Sequence, residues 1–290
     1  MSGYAGGSCV FDTQSHHTAP LTATQTEGTI SSQPTESPYL SVVIPAYNEA
    51  VRLPRTLTTV LDYLEQQPYR VEVLVVDDGS TDNTVALAEE IARQHPNVRI
   101  IRNDHRGKGY TVRTGMLAGQ GKYLLFSDAD LAVPIEEVEK LLPHLEAGYD
   151  VVIGSREGQG ARRIGEPGYR HLMGRIFNLL IRLITLGGFQ DTQCGFKAFR
   201  REAAHTLFRH AQLYGEDAQP LTEAAVTGFD VEILFLAVKY GYRVKEIPVK
   251  WIYGTETKVN PLKDSWRNLK DVVNVRINDM RGRYNHLERR

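Results

Sequence analysis

The sequence predicts an α/β fold, a mostly parallel sheet with helices covering both faces. Three observations predict it. Short apolar runs alternate with segments whose apolar residues recur at helical spacing. The runs are nearly continuous, as in strands buried on both sides. Polar, acid-rich motifs follow three of the runs, at the strand ends where open sheets of this kind hold ligands.

Residues 1–37 are rich in Ser, Thr, Gln, Gly and Pro, too poor in apolar surface to offset ordering entropy, and read as a disordered tail. The tail lacks the basic start and apolar run of a signal peptide. The folded region, 38–261, opens with an apolar run over 39–44, ended by Pro45. A helix over 52–65 carries Leu53, Leu57, Val60, Leu61 and Leu64 on one face. The run 71–76 is a second strand, stopping at Asp77-Asp78-Gly79-Ser80, and Thr81 or Asp82 caps a helix over 83–94. A strand over 98–102 precedes a helix over 112–118. The strand 123–126 then runs into Ser127-Asp128-Ala129-Asp130, followed by a helix over 135–145 and a strand over 150–153.

Beyond that point the pattern changes character. The glycine-rich stretch 158–168 reads as a mobile loop able to close over a substrate. Residues 169–186 are strongly apolar but broken by Arg170, Arg175 and Arg182, too short and too charged to span a bilayer; the segment suits a bilayer interface, with a helix packed in the protein's own core as the alternative. In the tail 262–290, eight Lys/Arg face four Asp/Glu, and Trp266, Leu269, Val273, Ile277 and Met280 recur at helical spacing. A basic amphipathic helix of this kind suits an anionic membrane surface, and an apolar stripe packed on its own domain gives the same pattern.

Composition excludes several classes. A net charge of −1 gives no global field for nucleic acid. Two cysteines, Cys9 and Cys194, make no disulfide framework and fit a reducing compartment, with Cys194 expected as a buried thiol. The nine histidines show no zinc-ligand spacing. No run approaches ~18 uninterrupted apolar residues, so the expectation is a cytoplasmic protein, peripheral at most to the inner face of a membrane.

The candidate chemistry sits at the strand ends. Asp128 and Asp130 flank one small residue and can converge on a hard divalent cation, Mg²⁺ or Mn²⁺, that also takes diphosphate oxygens. Asp77 and Asp78 can accept hydrogen bonds from a base imide or a ribose hydroxyl. Lys108, between Gly107 and Gly109 before a helix, suits a diphosphate; Arg102 stands where a Walker loop needs its first glycine. No GxGxxG follows a strand, which disfavours a dinucleotide dehydrogenase.

The series Pro45-Ala46-Tyr47-Asn48-Glu49, Val76-Asp77-Asp78-Gly79-Ser80-Thr81-Asp82, Gly107-Lys108-Gly109 and Asp128-Ala129-Asp130 resembles glycosyltransferase family two, a single Rossmann-like GT-A domain. Gly154-Ser155-Arg156, Asp191 through Lys197, Phe229-Asp230-Val231-Glu232 and the stretch 251–261 resemble the dolichyl-phosphate glucosyltransferases within it; the mannose synthases share less of this half. The resemblance implies an inverting, metal-dependent transfer of a hexose from a nucleotide diphosphate-sugar to a polyprenyl phosphate. UDP-glucose is the implied donor and GDP-mannose the alternative. Pro45, Ala46, Tyr47, Glu49, Asp77 and Asp78 would hold base and ribose, and Lys108 the diphosphate. Asp128 and Asp130, flanking Ala129, would hold the metal. Arg156, Arg170, Arg175 and Lys258 would meet the acceptor phosphate. Ala132 stands where mannose synthases often carry Gln, so no third side-chain metal ligand is implied there.

A phosphate monoester has a second pKa near ~6, so such an acceptor is already ionised at neutral pH and needs no strong base. Were the acceptor a hydroxyl, Asp230 and Glu232 would be the candidate bases; a structural acid pair is the competing reading. A nucleotidyltransferase would carry a Gly-rich loop after its first strand, which 45–49 is not. A purely binding protein has no need of five intact charged groups at the strand ends.

Overall fold

The computed structural model describes residues 37–165, 167–168, 174–175, 179, 181, 184, 188–215, 228–254 and 261–285. The first half follows the sequence pattern: β1 (Leu40–Ala46), α1 (Leu53–Glu65), β2 (Val71–Asp77), α2 (Thr84–Gln94), β3 (Val98–Arg102), α3 (Lys108–Ala118) and β4 (Tyr123–Ser127). After a 3₁₀ turn (Ile135–Glu137) come α4 (Val138–Glu146), β5 (Val151–Ser155), β6 (Arg162–Ile164), β7 (Phe196–Arg200) and α5 (Arg201–His210). The chain continues through α6 (Phe229–Lys239), β8 (Val244–Pro248), β9 (Lys250–Ile252) and α7 (Pro261–Met280).

Successive strand residues point to opposite faces, which explains why the runs are apolar throughout. Val42, Ile44, Val73, Val75 and Leu125 enter a core shared with α1 and α4. Val43, Leu74, Val76, Leu124 and Phe126 enter a second core shared with α3, α5 and α6. The sheet order is β3-β2-β1-β4-β7-β5-β8, with β7 antiparallel to both β4 and β5. Connections from β1 lead outward to β2 and β3, after which the chain returns to place β4 on the other side of β1. That switch opens a crevice at the carboxyl ends of β1 and β4.

Three local expectations change. β1 runs through Pro45 to Ala46, because its pairing with β4 already ends at Val43↔Phe126, so the missing proline donor falls where that ladder has opened. α3 begins at Lys108, four residues earlier than its apolar spacing suggests. Its glycines hide the pattern, and they are required by packing: a methyl on Gly115 would stand 2.3 Å from Val43 Cγ1. The stretch 158–168 contains β6, which pairs in parallel with β9 through Arg162↔Lys250 and Ile164↔Ile252. Three paired residues among glycines leave too little periodicity to read. Among the described residues no helix is long and apolar enough to cross a membrane.

Candidate active site

β4 delivers Asp128 to the crevice, and a tight turn carries the chain past Asp130. Asp128 O accepts the Leu131 amide at 3.1 Å, and Leu131 takes φ 46°, a left-handed conformation uncommon for a branched residue and typical of functional turns. Asp130 Oδ1 accepts the Ala132 amide at 3.0 Å. Burial and then the neighbouring Asp128 charge push the Asp130 carboxyl above its usual range. Lys108 Nζ lies 2.6 Å from Asp128 Oδ1. Burial would lower the Lys108 pKa, but Asp128 and Asp230 outweigh it and hold the ammonium charged.

Two crowded carboxylates need more positive charge than one lysine supplies, and this is the donor set of a hard divalent cation that keeps water and phosphate oxygens for its other positions. The pair therefore fits such an ion.

The neighbouring strand end separates two acids that look alike in sequence. Asp78 is consumed internally: Oδ1 accepts the Arg106 and Gly107 amides at 2.9 and 3.2 Å, and Oδ2 meets His105 Nδ1 at 2.8 Å. It holds the loop that presents Lys108. Asp77 Oδ2 accepts the Gly79 and Ser80 amides, both at 3.0 Å, while its buried Oδ1 has no partner among the described residues. Asp77 is thus the acid left with an acceptor for a ligand. Tyr47 stacks on His105 with ring centroids 4.0 Å apart. The Glu49 carboxylate is forked onto Arg52 at 2.7 and 2.8 Å, and the Arg52 charge opposes, without reversing, the upward shift of Asp130. Pro45 and Ala46 close the end of β1, and Ala129 O accepts the Thr56 hydroxyl at 2.6 Å. The N-cap of α2 is Asn83, without a side-chain cap bond, rather than Thr81 or Asp82; Asp82, one residue earlier, accepts the Thr84 amide at 2.9 Å, and Thr81 bonds to Asn48.

On the other side of the crevice, β7 brings in a lysine that sequence reasoning missed as a site residue. Lys197 is buried, with Nζ 2.6 Å from Asp230 Oδ1 and bonded to Cys194 O. Asp230 sits in the first turn of α6 and is pushed up by burial against the pull of Lys197 and Lys108. It belongs to one electrostatic cluster with Lys108 and Asp128. Glu232, two residues on, faces elsewhere: it accepts the Gln212 amide at 2.7 Å and the Tyr284 hydroxyl at 2.6 Å. Burial pushes its carboxyl up to about 7. The structure thus gives the two acids different surroundings, and only Asp230 sits with Lys108 and Asp128. The Cys194 thiol is buried and pushed up to about 12 by burial, as expected of an inert thiol.

Arg156 is held at the end of β5 by Asp191, with contacts of 2.6 and 2.8 Å that fork its guanidinium onto the carboxylate. Asp191 is buried, and Arg156 outweighs that burial to hold it well below the usual carboxylate range. Arg156 also lies 5.6 Å from the Trp251 ring centroid, beside the small β6–β9 sheet. Arg175 is exposed. Arg170 and Lys258 lie outside the described residues. Within 169–186 the described positions, 174–175, 179, 181 and 184, are helical; Ile181 joins the core, whereas Leu179 is exposed.

With this geometry in place, the likenesses are informative. Glycosyl transferase family 2 matches residues 41–208. A dolichyl-phosphate beta-glucosyltransferase of Dictyostelium discoideum is 32% identical over 263 residues, covering 86% of this chain and 77% of the relative. Another, from Saccharomyces cerevisiae, is 35% identical over 272 residues, covering 87% and 78%. Glucosyl-3-phosphoglycerate synthase from Mycobacterium tuberculosis, solved with Mn²⁺, UDP and glucosyl-3-phosphoglycerate, shares the fold at TM-score 0.55. It is 20% identical and covers 87% of this chain and 81% of that one. The acid pair at the β1–β4 switch, the GT-A sheet and the match over more than half its length together place this chain in glycosyl transferase family 2, as a glycosyltransferase.

Proposed function

We propose that the chain transfers glucose from UDP-glucose to dolichyl phosphate or a related polyprenyl phosphate, inverting the anomeric carbon, with Mn²⁺ or Mg²⁺ held by Asp128 and Asp130. The observation that carries the reading is the Asp128–Asp130 pair with Lys108 beside it, at a sheet switch whose next strand end offers Asp77 Oδ1, without a partner among the described residues. The likeness to dolichyl-phosphate beta-glucosyltransferases supports the choice of sugar and acceptor.

In this reading Asp77 and Tyr47 seat the nucleoside, and Lys108 approaches the diphosphate. The cation, when bound, neutralises charge growing on the leaving diphosphate. An ionised phosphate acceptor attacks without a base, so Asp230 can remain paired with Lys197. Arg156, already oriented by Asp191, offsets repulsion between the two anionic substrates, a role shared with Arg175, Arg170 and Lys258. A lipid acceptor brings the chain to a membrane surface, and α7 has a face for it. Trp266, Val273 and Met280 are exposed at seven-residue spacing, with exposed Lys270 and Arg276 alongside. Of the acids with described side chains, Asp271 is buried on the opposite face, and Asp279 pairs with Lys239 and, at 3.7 Å, with Arg276. This matches an anionic lipid surface.

A donor screen with purified protein, Mn²⁺ and dolichyl phosphate tests the proposal. It expects lipid-linked β-glucose from UDP-glucose and little product from GDP-mannose. Sugar appearing only on a hydroxyl acceptor would overturn it and make Asp230 the base.

A further inference from the structure

We propose that Asp271, on the inner face of α7, is a positioning residue for the transfer centre, holding Lys108 and Asp230 in place through Tyr214 and Gly228. The inference rests on the glycosyl-transfer reading above. Asp271 is buried, and its Oδ2 accepts two hydrogen bonds, from the Tyr214 hydroxyl at 2.7 Å and from the Gly228 amide at 2.8 Å. One oxygen therefore ties together two chain positions fourteen residues apart, each of which leads directly to a charged group of the site.

The first route runs through an aromatic ring. Tyr214 packs on Gly109 so closely that a methyl there would stand 2.7 Å from the ring carbons Cγ and Cδ2. Gly109 follows Lys108, so the ring backs the stretch of chain from which the ammonium reaches Asp128. The second route runs through a helix start. Gly228 is the N-cap of α6, and a methyl on it would stand 2.7 Å from Asp271 Cβ. Asp230 lies two residues into that helix, bonded to Lys197 and electrostatically coupled to Lys108 and Asp128. Asp271 is not among the main groups acting on the Lys108 or Asp130 charge. Its effect on transfer passes through geometry, to which reactions between two bound anions are sensitive. An Asn can offer the same two donors its amide oxygen, whereas Ala offers nothing.

The experiment compares Asp271→Ala, Asp271→Asn and Tyr214→Phe with the parent chain, using UDP-glucose, dolichyl phosphate and Mn²⁺. Asp271→Ala should lower kcat about 100-fold. KM for UDP-glucose and UDP affinity by calorimetry should weaken far less than kcat falls, by under about 10-fold, since Lys108 approaches the diphosphate but Tyr47 and Asp77, which seat the nucleoside, stand on other elements. Asp271→Asn should restore most of kcat. Tyr214→Phe keeps the ring on Gly109, removes only the hydroxyl, and should fall between; it carries the test if the alanine variant does not fold. An unchanged kcat in Asp271→Ala or, failing that, in Tyr214→Phe would overturn the inference, as would equal loss in the Asn and Ala variants. A parent chain inactive on the lipid counts against the substrate assignment alone, and the same kcat comparison then applies to whichever acceptor takes the sugar.

Discussion

Gly195 lies directly against the carboxylate of Asp128. A methyl on Gly195 would stand 2.0 Å from Asp128 Oδ2, and Gly195 O accepts the Asp128 amide at 3.2 Å. The residue that leads into the antiparallel strand β7 thus shapes the floor under the first acid of the pair.

Gly195→Ala should therefore displace Asp128 without unfolding the chain. The expected loss in kcat is about 100-fold, with a thermal midpoint close to that of the parent, because the adjacent Phe196 and Ala198 keep their packing. Steady-state kinetics and a melting curve read both. Full activity in the alanine variant would show that Asp128 does not need its present position.

Lys197 and Asp230 form a buried ion pair whose separation breaks both partners' surroundings. Lys197→Met should leave Asp230 buried without its counter-charge and destabilise the fold by about 3–5 kcal/mol. Adding Asp230→Asn should recover part of that loss. Urea unfolding of the single and double variants measures it; additive losses would mean that the pair is not coupled.

Glu232 makes stability depend on pH in an unusual direction. Its carboxyl lies at about 7 in the fold against an ordinary 4.5, raised by burial. Between those values the folded state binds more protons, so this group destabilises the fold as pH rises through about 7, and the penalty vanishes below 4.5. Glu232→Gln should flatten the stability profile between those limits relative to the parent. Superimposable profiles would remove Glu232 as their source.

How much of this was legible in the sequence follows from where each signal resides. β1, β2 and β4 were readable because both faces are buried, so every residue reports the strand. The three strand-end motifs were readable for the same reason, since the strands locate their own ends. The division of labour between Asp77 and Asp78 was not, because it is made by the amides of Arg106 and Gly107 and the ring of His105, brought near only by the β2–β3 pairing. β7 carries a lysine in its interior and resembles an exposed edge. That lysine is buried only because Asp230, thirty-three residues away, meets it. α7 gave an ambiguous stripe in sequence. The fold resolves it by burying the opposite face through Asn268, Asp271, Val272, Val275 and Asn278.

The exposed stripe on α7 has its own test. Trp266→Glu with Val273→Glu should weaken sedimentation with vesicles containing phosphatidylserine, by roughly 10-fold or more, and leave UDP affinity unchanged. Binding that stays equal, or that persists on purely zwitterionic vesicles in both proteins, would assign the membrane contact to another face.

The central claim is that Asp128 and Asp130 hold a cation that serves glucose transfer to a lipid phosphate. The direct measurement supplies purified protein with labelled UDP-glucose, dolichyl phosphate and Mn²⁺, then counts label in the organic phase for the parent, for Asp130→Asn and for chelator-treated protein. The account predicts labelled lipid from the parent alone, with activity returning when Mn²⁺ is restored to the chelated sample. Undiminished labelling by Asp130→Asn, or labelling that ignores the chelator, would contradict it.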